Sequence, residues 1–277
     1  MGKHWRLGPS SAARWLKCPG SALKCHESED TEASATGTLA HTVGENMLNG
    51  IRVDIDESLG HLHEATQLRI LENAYAYTQF IKSFEFDRFH VEQTIQHPAI
   101  PGHGGTVDLI GYRADTLHVI DYKNGNGRVD ALENEQIGCY LNLVRRTMEP
   151  ATKFIGSIFQ PNIDNIQTEE FSEEWLDSLE ARVQEVSGQT YRDAGNHCQW
   201  GPLNQEPCLV ALDYHQIQAA EEFNQPIDPT EEIRILENSL ISAKVLDKSS
   251  KATRDRLTFL ALQGHSLTAH KLVEVAE

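Results

Sequence analysis

The stretch Gly105-Thr106-Val107-Asp108-Leu109-Ile110, followed by Val119-Ile120-Asp121-Tyr122-Lys123, reads as two adjacent strands ending in two carboxylates and an amine. Residues 116–123 are rich in β-branched and aromatic side chains. The connection at 111–115 is short and contains glycine and aspartate, so the pattern predicts a hairpin. Side chains alternate along a strand, which puts Asp121 and Lys123 on one face, with Asp108 able to meet them across the pair. Aspartate is disfavoured inside strands, and Asp108 lies between Val107 and Leu109-Ile110. A carboxylate in such a run needs a partner or a metal to offset its desolvation. Two converging carboxylates make a hard oxygen site suited to Mg²⁺ or Mn²⁺. A lysine beside them can hold a phosphate oxygen, orient a water or take up its proton, and these are the parts of metal-assisted phosphodiester hydrolysis. The plain structural alternative keeps Asp108 as a strand-end residue on a turn amide and Lys123 as a solvated lysine.

Outward from these strands the chain keeps an α/β pattern. Ser10 or Ser11 caps a short helix through about 17, closed by Pro19-Gly20. Residues 27–34 are polar and predict an exposed loop. Residues 36–48 predict a helix ended by Asn49-Gly50, with His41 and Glu45 four apart on one face. Residues 61–83 predict a longer helix with Leu68, Leu71, Tyr75 and Phe80 among its apolar positions, and 89–97 a strand that carries Glu92. Asn124-Gly125-Asn126-Gly127 is a loop directly after Lys123. Residues 131–147 predict a helix with Gln136 and Tyr140 on one face, and 153–160 a further strand. Ser172, with two acids in the first turn, starts a helix through about 194. Asp228-Pro229 opens the last helical part, in which Ile233, Leu236, Leu240 and Ala243 follow helical spacing. Residues 267–275 predict a short strand or hook.

The ordered set His41, Asp108, Asp121, Lys123, Gln136 and Tyr140 resembles the PD-(D/E)XK nuclease superfamily. Asp108 stands as the first acid and Asp121-Tyr122-Lys123 as the D-x-K half-motif. Gly37-Thr38-Leu39-Ala40-His41 looks like the upstream histidine motif of the RecB-like, Cas4-like branch, and Gln136-Ile137-Gly138-Cys139-Tyr140 like its Q-x-x-x-Y motif. Arg14-Trp15-Leu16-Lys17-Cys18-Pro19-Gly20-Ser21 looks like the opening of phage and prophage proteins called DUF2800. Gln160-Pro161-Asn162 and His270-Lys271-Leu272-Val273-Glu274 resemble later landmarks of that group, so the resemblance runs almost end to end.

The resemblance implies an α/β fold, a restriction-endonuclease-like core with a mixed central sheet flanked by helices. It implies a nuclease domain over 1–212 and a mainly helical C-terminal extension over 213–277. It further implies Mg²⁺ or Mn²⁺ on His41, Asp108, Asp121 and the Tyr122 carbonyl, with Lys123 acting at the nucleophile or on the developing charge. Gln136 and Tyr140 would hold that lysine or a DNA phosphate. Glu45 is the candidate neighbour that orients His41, and Glu92 a secondary acid. The expected activity is that of a metal-dependent deoxyribonuclease, an exonuclease of phage or prophage origin serving recombination or DNA processing in the bacterial cytoplasm. Its expected partners are DNA, a phage single-strand annealing protein and further copies of itself. The rival readings are a non-catalytic DNA- or protein-binding module on a nuclease fold, and a hydrolase of another phosphoester. Cas4- and AddB-type relatives often carry an iron–sulfur cluster. Cys18, Cys198 and Cys208 match three of its ligands, but Gly201 stands where a cysteine is expected. Either a [4Fe–4S] cluster takes Cys25 or His197 as its fourth ligand, or the cluster has been lost, or the cysteines are free reduced thiols around a structural clasp.

Composition sets the limits. A chain of 277 residues can bury a substantial core, and 39% hydrophobic with 23% charged residues is a globular balance. No apolar run approaches a membrane span and the start is not a signal peptide, so neither membrane insertion nor export is expected. An odd five cysteines argue against a disulfide framework. The net charge of −17 runs against the basic character usual in DNA-binding proteins. The acids crowd into 27–32, 169–185 and 221–237, while Lys123, Arg128, Arg145 and Arg146 lie near the candidate site and predict a local basic groove.

Overall fold

The computed structural model describes residues 5–23, 32–200, 208–219 and 229–263. In chain order, α1 (Ala12–Trp15), α2 (Glu32–Leu48), α3 (Ile55–Leu59) and α4 (Glu64–Ser83) precede β1 (Arg88–Gln96), β2 (Gly104–Arg113) and β3 (Thr116–Tyr122). Then come α5 (Glu135–Thr147), β4 (Lys153–Gln160), β5 (Asn165–Phe171), α6 (Glu173–Ser187), α7 (Leu209–Ala219) and α8 (Pro229–Leu262). The chain divides into two compact units, 1–13 with 29–188 and 14–28 with 189–277. The sequence-based boundary at 212/213 lies inside the second unit.

In the first unit the five strands stand in sequence order. β1–β2, β2–β3 and β4–β5 are antiparallel and β3–β4 is parallel. A parallel step needs a crossover, and α5 supplies it. One face of the sheet packs Ile110, Leu117, Val119 and Ile158 with Ile137, Leu141 and Val144 of α5 and Leu176 of α6. The other packs Leu109, Ile120, Tyr122 and Phe159 with Ala40 and Val43 of α2 and Ile70, Ala74, Tyr77 and Ile81 of α4. Fully burying one such aliphatic side chain is worth about 1.5–3 kcal/mol. The sheet is thus the mixed, helix-flanked α/β core expected from the sequence.

Several local expectations change. Helix α2 begins at Glu32, so the end of the expected polar loop is helical, and α6 stops at Ser187 rather than near 194. Strand β5 was not expected. It is an edge strand whose Glu169 and Glu170 and half-exposed Ile166 blur the period-two signal, and charge on an edge discourages further pairing. In α4 the sheet selects Ile70, Ala74, Tyr77 and Ile81 for burial and leaves Leu68 and Tyr75 exposed. In the second unit Ala211 of α7, Val245 of α8 and Cys198 share a small core. Its α8 buries Ser242, Val245, Ser249 and Ala252, while Ile233, Leu236 and Leu240 are exposed. The expected strand or hook at 267–275 lies outside the described residues. Among the described residues no helix is long and apolar enough to cross a membrane.

Helix α6 is latched to α5 and to the end of β1 by one carboxylate. Arg146 Nε donates to Glu180 Oε1 at 2.9 Å and its NH2 to Oε2 at 2.6 Å, and Arg145 NH2 adds a contact at 3.3 Å. His97 Nδ1 accepts the N–H groups of Ala99 and Ile100, so its Nε2 donates to Glu180 Oε1 at 2.9 Å. Burial pushes the Glu180 carboxyl up, but hydrogen bonds from Arg146 and His97 and the charges of both arginines outweigh it and hold it down at about 2. The stabilisation is therefore complete above the ordinary value of 4.5 and is lost as pH falls through about 2. Glu180→Gln is expected to cost about 1–2 kcal/mol at neutral pH, solvent screening keeping it below the value of a fully buried pair. Urea melts at neutral and acid pH check this, because the variant should match the parent more closely as the pH falls toward about 2.

Candidate active site

The site forms where the sheet splits. The β2–β3 ladder ends at Leu109–Ile120, one step before Asp108 would stand opposite Asp121. Strand β3 keeps its pairing with β4 through Tyr122–Phe159, and the Lys123 N–H continues that line to the Phe159 carbonyl at 2.8 Å. Neighbouring N–H groups on a strand point to opposite sides, so the Tyr122 N–H faces the gap left by β2. Asp108 Oδ2 accepts it at 2.8 Å. A backbone donor that loses its ladder partner needs a replacement, and the carboxylate is that replacement.

The third acid comes from β1. The β1–β2 register pairs Val91 with Leu109 and Gln93 with Val107, so Glu92 lies level with Asp108. Glu92 has φ +50°, a left-handed conformation uncommon for a non-glycine residue within a strand. Such strain costs roughly 1–3 kcal/mol and persists only where the surroundings impose it, typically at functional sites. His41 reaches down from α2 with Nδ1 3.5 Å from Asp108 Oδ1 and 3.6 Å from Glu92 Oε1. Among the described residues, His41, Glu92 and Asp108 form a group whose ligand atoms all lie within 4.8 Å of one another.

Beside this group, Asp121 is held on both oxygens. Gln136 Nε2 donates to Oδ1 at 2.6 Å, and Lys123 Nζ lies 2.8 Å from Oδ2. Lys123 also donates to Gln136 Oε1 at 2.9 Å, which closes a ring of three side chains. Gln136 sits in the first turn of α5, fixed by the Asn134 cap, whose Oδ1 accepts the N–H groups of Gln136 and Ile137. One turn on, the buried Tyr140 hydroxyl is hydrogen-bonded to Gln136. Between them, Gly138 lets α5 approach α6, since a Cβ there would meet the Trp175 ring at 2.4 Å.

The electrostatics follow from three acids close together, two of them, Asp108 and Asp121, largely buried. Burial raises the Asp108 carboxyl, the facing Asp121 and Glu92 charges raise it further, and His41 and the Tyr122 N–H only partly offset this. Burial lowers His41, but Asp108, Glu92 and Asp121 prevail and bring it up to about 9. Lys123 loses hydration too, yet Asp121 and Asp108 raise it, so it is a firm cation. Under the site the His41 and Tyr122 rings stack at 5.2 Å and the Tyr122 and Tyr77 rings at 4.9 Å. Gly44 of α2 leaves room for Tyr77, whose ring stands 3.3 Å from where a Cβ would be.

The structure thus brings His41, Asp108, Asp121, Tyr122, Lys123, Gln136 and Tyr140 together and adds two residues to them. Glu92, a secondary acid in the sequence, belongs to the acid–histidine group. Tyr77 carries a buried hydroxyl without a hydrogen-bond partner among the described residues and is pushed well up by burial and by Asp108, Glu92 and Asp121. Its only sequence signal is an aromatic on a helix with many apolar positions. Glu45 makes no hydrogen bond or ion pair with His41 among the described residues. The expected basic groove does not form from Arg145 and Arg146. Arg145 is bound to Asn142, Asp177 and Glu180, and Arg146 to Glu180, so their charge is spent on joining α5 to α6. Lys123 and the exposed Arg128, itself 3.0 Å from Asp130, remain near the site.

Cys18, Cys198 and Cys208 are free thiols that fall within the second unit. Burial pushes the Cys198 thiol up, and the neighbouring Cys18 and Cys208 sulfurs add to the shift despite the Gly195 N–H. Cys18 Sγ accepts the Asp193 N–H at 3.4 Å. The described residues therefore gather three sulfurs, one fewer than a [4Fe–4S] cluster takes. Cys25 lies outside the described residues. His197 Nε2 lies 3.1 Å from the Asp193 carbonyl.

Fold and side chains together define an α/β protein with three acids, a histidine and a lysine collected at a split in its sheet. The chain belongs to the DUF2800 family, described as proteins of unknown function, whose model matches residues 4–275. Among solved structures it is similar to a candidate exonuclease from Eubacterium rectale, at 14% identity over 82% of this chain and 92% of that one, with a TM-score of 0.41. It is also similar to the alkaline exonuclease LHK-Exo from Laribacter hongkongensis, at 16% identity over 63% of this chain and 88% of that one, with a TM-score of 0.32.

The acid group makes a direct prediction for metal-free protein. His41 should titrate at about 9 rather than at the ordinary 6.5, and Glu92→Gln should bring it down by removing one of the charges that hold the proton. Imidazole resonances followed by NMR against pH in EDTA test this, and a His41 midpoint near 6.5 would contradict it.

Proposed function

We propose that this chain is a divalent-metal-dependent deoxyribonuclease, an exonuclease of phage or prophage origin that hydrolyses phosphodiester bonds during recombination or processing of DNA. The observation that carries the reading is the gathering of His41, Glu92 and Asp108 ligand atoms within 4.8 Å, directly beside the Asp121–Lys123 pair. The donor set fits Mg²⁺ or Mn²⁺. Carboxylates and a main-chain carbonyl are hard ligands, the imidazole is a borderline one that Mn²⁺ accepts more readily than Mg²⁺, and three facing acids call for more positive charge than Lys123 supplies. The proton that these acids hold on His41 marks the place where a cation would be stabilised. His41, Asp108, Asp121 and the Tyr122 carbonyl would hold it, with Glu92 beside them. Each carboxylate oxygen has two lone pairs, so Asp121 can keep Gln136 and Lys123 while also facing a cation. When bound, the metal would polarise a phosphoryl oxygen and make a water more acidic.

The remaining roles belong to the chain itself. Lys123 is held protonated, so it acts by charge, countering negative charge that develops on the phosphoryl oxygens, rather than as a base. Gln136 is a positioning residue that ties Lys123 to Asp121, and Tyr140 steadies it from the next turn. The stacked Tyr122 and Tyr77 rings keep water from the inner side, which strengthens every charge interaction in the site. Arg145 and Arg146 are occupied and the net charge is −17, so sequence-independent attraction to DNA is weak. That favours delivery of the substrate by a partner, such as a phage single-strand annealing protein. The thiols of the second unit enter no step.

The test is incubation of linear duplex, single-stranded and plasmid DNA with Mg²⁺, Mn²⁺ or EDTA. Linear DNA should be degraded with either metal and spared in EDTA, and covalently closed plasmid should survive. Asp108→Asn, Asp121→Asn and Lys123→Ala should each lose at least ~100-fold in rate, the scale found for removing one preorganised charge or donor. A Lys123→Ala protein that cleaves at the parental rate sinks the assignment. Parental protein that binds DNA but cleaves with neither metal would return the non-catalytic binding module.

A further inference from the structure

We propose that residues 125–128, directly after Lys123, are a phosphate-contact loop in which the backbone N–H groups of Asn126 and Arg128 bind phosphodiester oxygens of the DNA strand beside the reacting bond. The proposal rests on the nuclease reading and names a contact of that same site. Gln160 at the end of β4 is 1% exposed, yet its amide reaches out to the loop. Its Nε2 donates to the carbonyls of both Gly125, at 2.8 Å, and Gly127, at 2.7 Å. Its Oε1 accepts the Val129 N–H and Asn165 Nδ2. Asn162 holds the Asn124 carbonyl at 2.6 Å and is itself held by Asn73. One buried amide thus turns two carbonyls inward.

In a trans peptide the carbonyl of one residue and the N–H of the next point in opposite directions. No cis bond occurs among the described residues. Turning the Gly125 and Gly127 carbonyls toward Gln160 therefore turns the Asn126 and Arg128 N–H groups toward solvent. Neither has an acceptor among the described residues, and 125–128 are all exposed. The glycines carry a second, independent signal. Neither has positive φ, and a Cβ on either would meet nothing within 4 Å. The fold requires glycine at neither place, whereas close approach of a ligand to the backbone does. Outward amide donors on a backbone without side chains suit a phosphate oxygen, and such contacts fix register without reading sequence. The Arg128 side chain is exposed and shares its charge with Asp130 at 3.0 Å, a surface pair that it can leave for a phosphate.

The test is the double variant Gly125→Ala with Gly127→Ala in the full-length chain. Its thermal midpoint should equal or slightly exceed that of the parent. Its Kd for a labelled oligonucleotide, measured by anisotropy in Ca²⁺, should rise roughly tenfold, the loss expected for a hydrogen bond to a charged group. The dependence of log Kd on log salt should not change, because amide donors release no counterions, while Arg128→Ala should lower that slope by about one. Gln160→Leu should weaken binding as the glycine variant does. A glycine variant that binds as tightly as the parent overturns the loop proposal alone. One that melts well below the parent also overturns it, since the fold would then be what requires glycine. Should the parent bind too weakly for anisotropy, the same roughly tenfold change is read in KM for cleavage with Mn²⁺, and a parent that neither binds nor cleaves DNA overturns the nuclease reading together with the loop.

Discussion

The site depends on the point where β2 leaves β3. Above it the two strands are joined by regular pairing, and below it β3 stays with β4 alone. A main-chain N–H freed within a sheet has to be satisfied, and Asp108 satisfies that of Tyr122. The same hydrogen bond draws a carboxylate into a space that Asp121 already lines. Glu92 comes level with both through the β1–β2 register, at the expense of a left-handed backbone. Three acids then share a small, partly buried volume, and His41 and Lys123 answer to them.

His41 and Lys123 answer in different ways. Lys123 is tied to Asp121 and Gln136 and remains a fixed cation. His41 carries a proton because the acids make it favourable, although burial opposes it. An exchangeable positive charge therefore stands beside a permanent one, as the proposed divalent-cation centre requires. The aromatic floor of Tyr122 and Tyr77 sharpens the contrast by keeping the inner side dry.

The paired arginines of α5 are used for architecture. Arg145 and Arg146 look from sequence like a surface for nucleic acid, but they close on Glu180, which also takes His97. The latch fixes α6 against α5, and α5 carries Gln136 and Tyr140 into the site. The fold thus spends these two arginines on placing a neutral amide accurately, so that in the proposed nuclease DNA would be met by the metal, Lys123 and the loop that follows it.

Much of this was legible in the sequence. The alternation around Asp108, Asp121 and Lys123 identified two strands and their shared face. The four-residue spacing of Gln136 and Tyr140 identified a helical pair, and His41 stood on a helix that the structure does contain. These features are written within a few residues of one another, where strand and helix periods are fixed by local geometry. The role of Glu92 was not legible, because it depends on a cross-strand register and an unusual φ. Nor was that of Tyr77, because a helix with apolar residues on several sides does not say which of them the sheet will cover. The edge strand β5 was hidden by its acids, and the destination of Arg145 and Arg146 by the distance in sequence to Glu180. The sequence by itself determined which chemical groups this protein owns and which lie on the same local face. Tertiary structure alone decided which of them meet, because register, helix orientation and ion-pair partners are set by packing the whole chain at once.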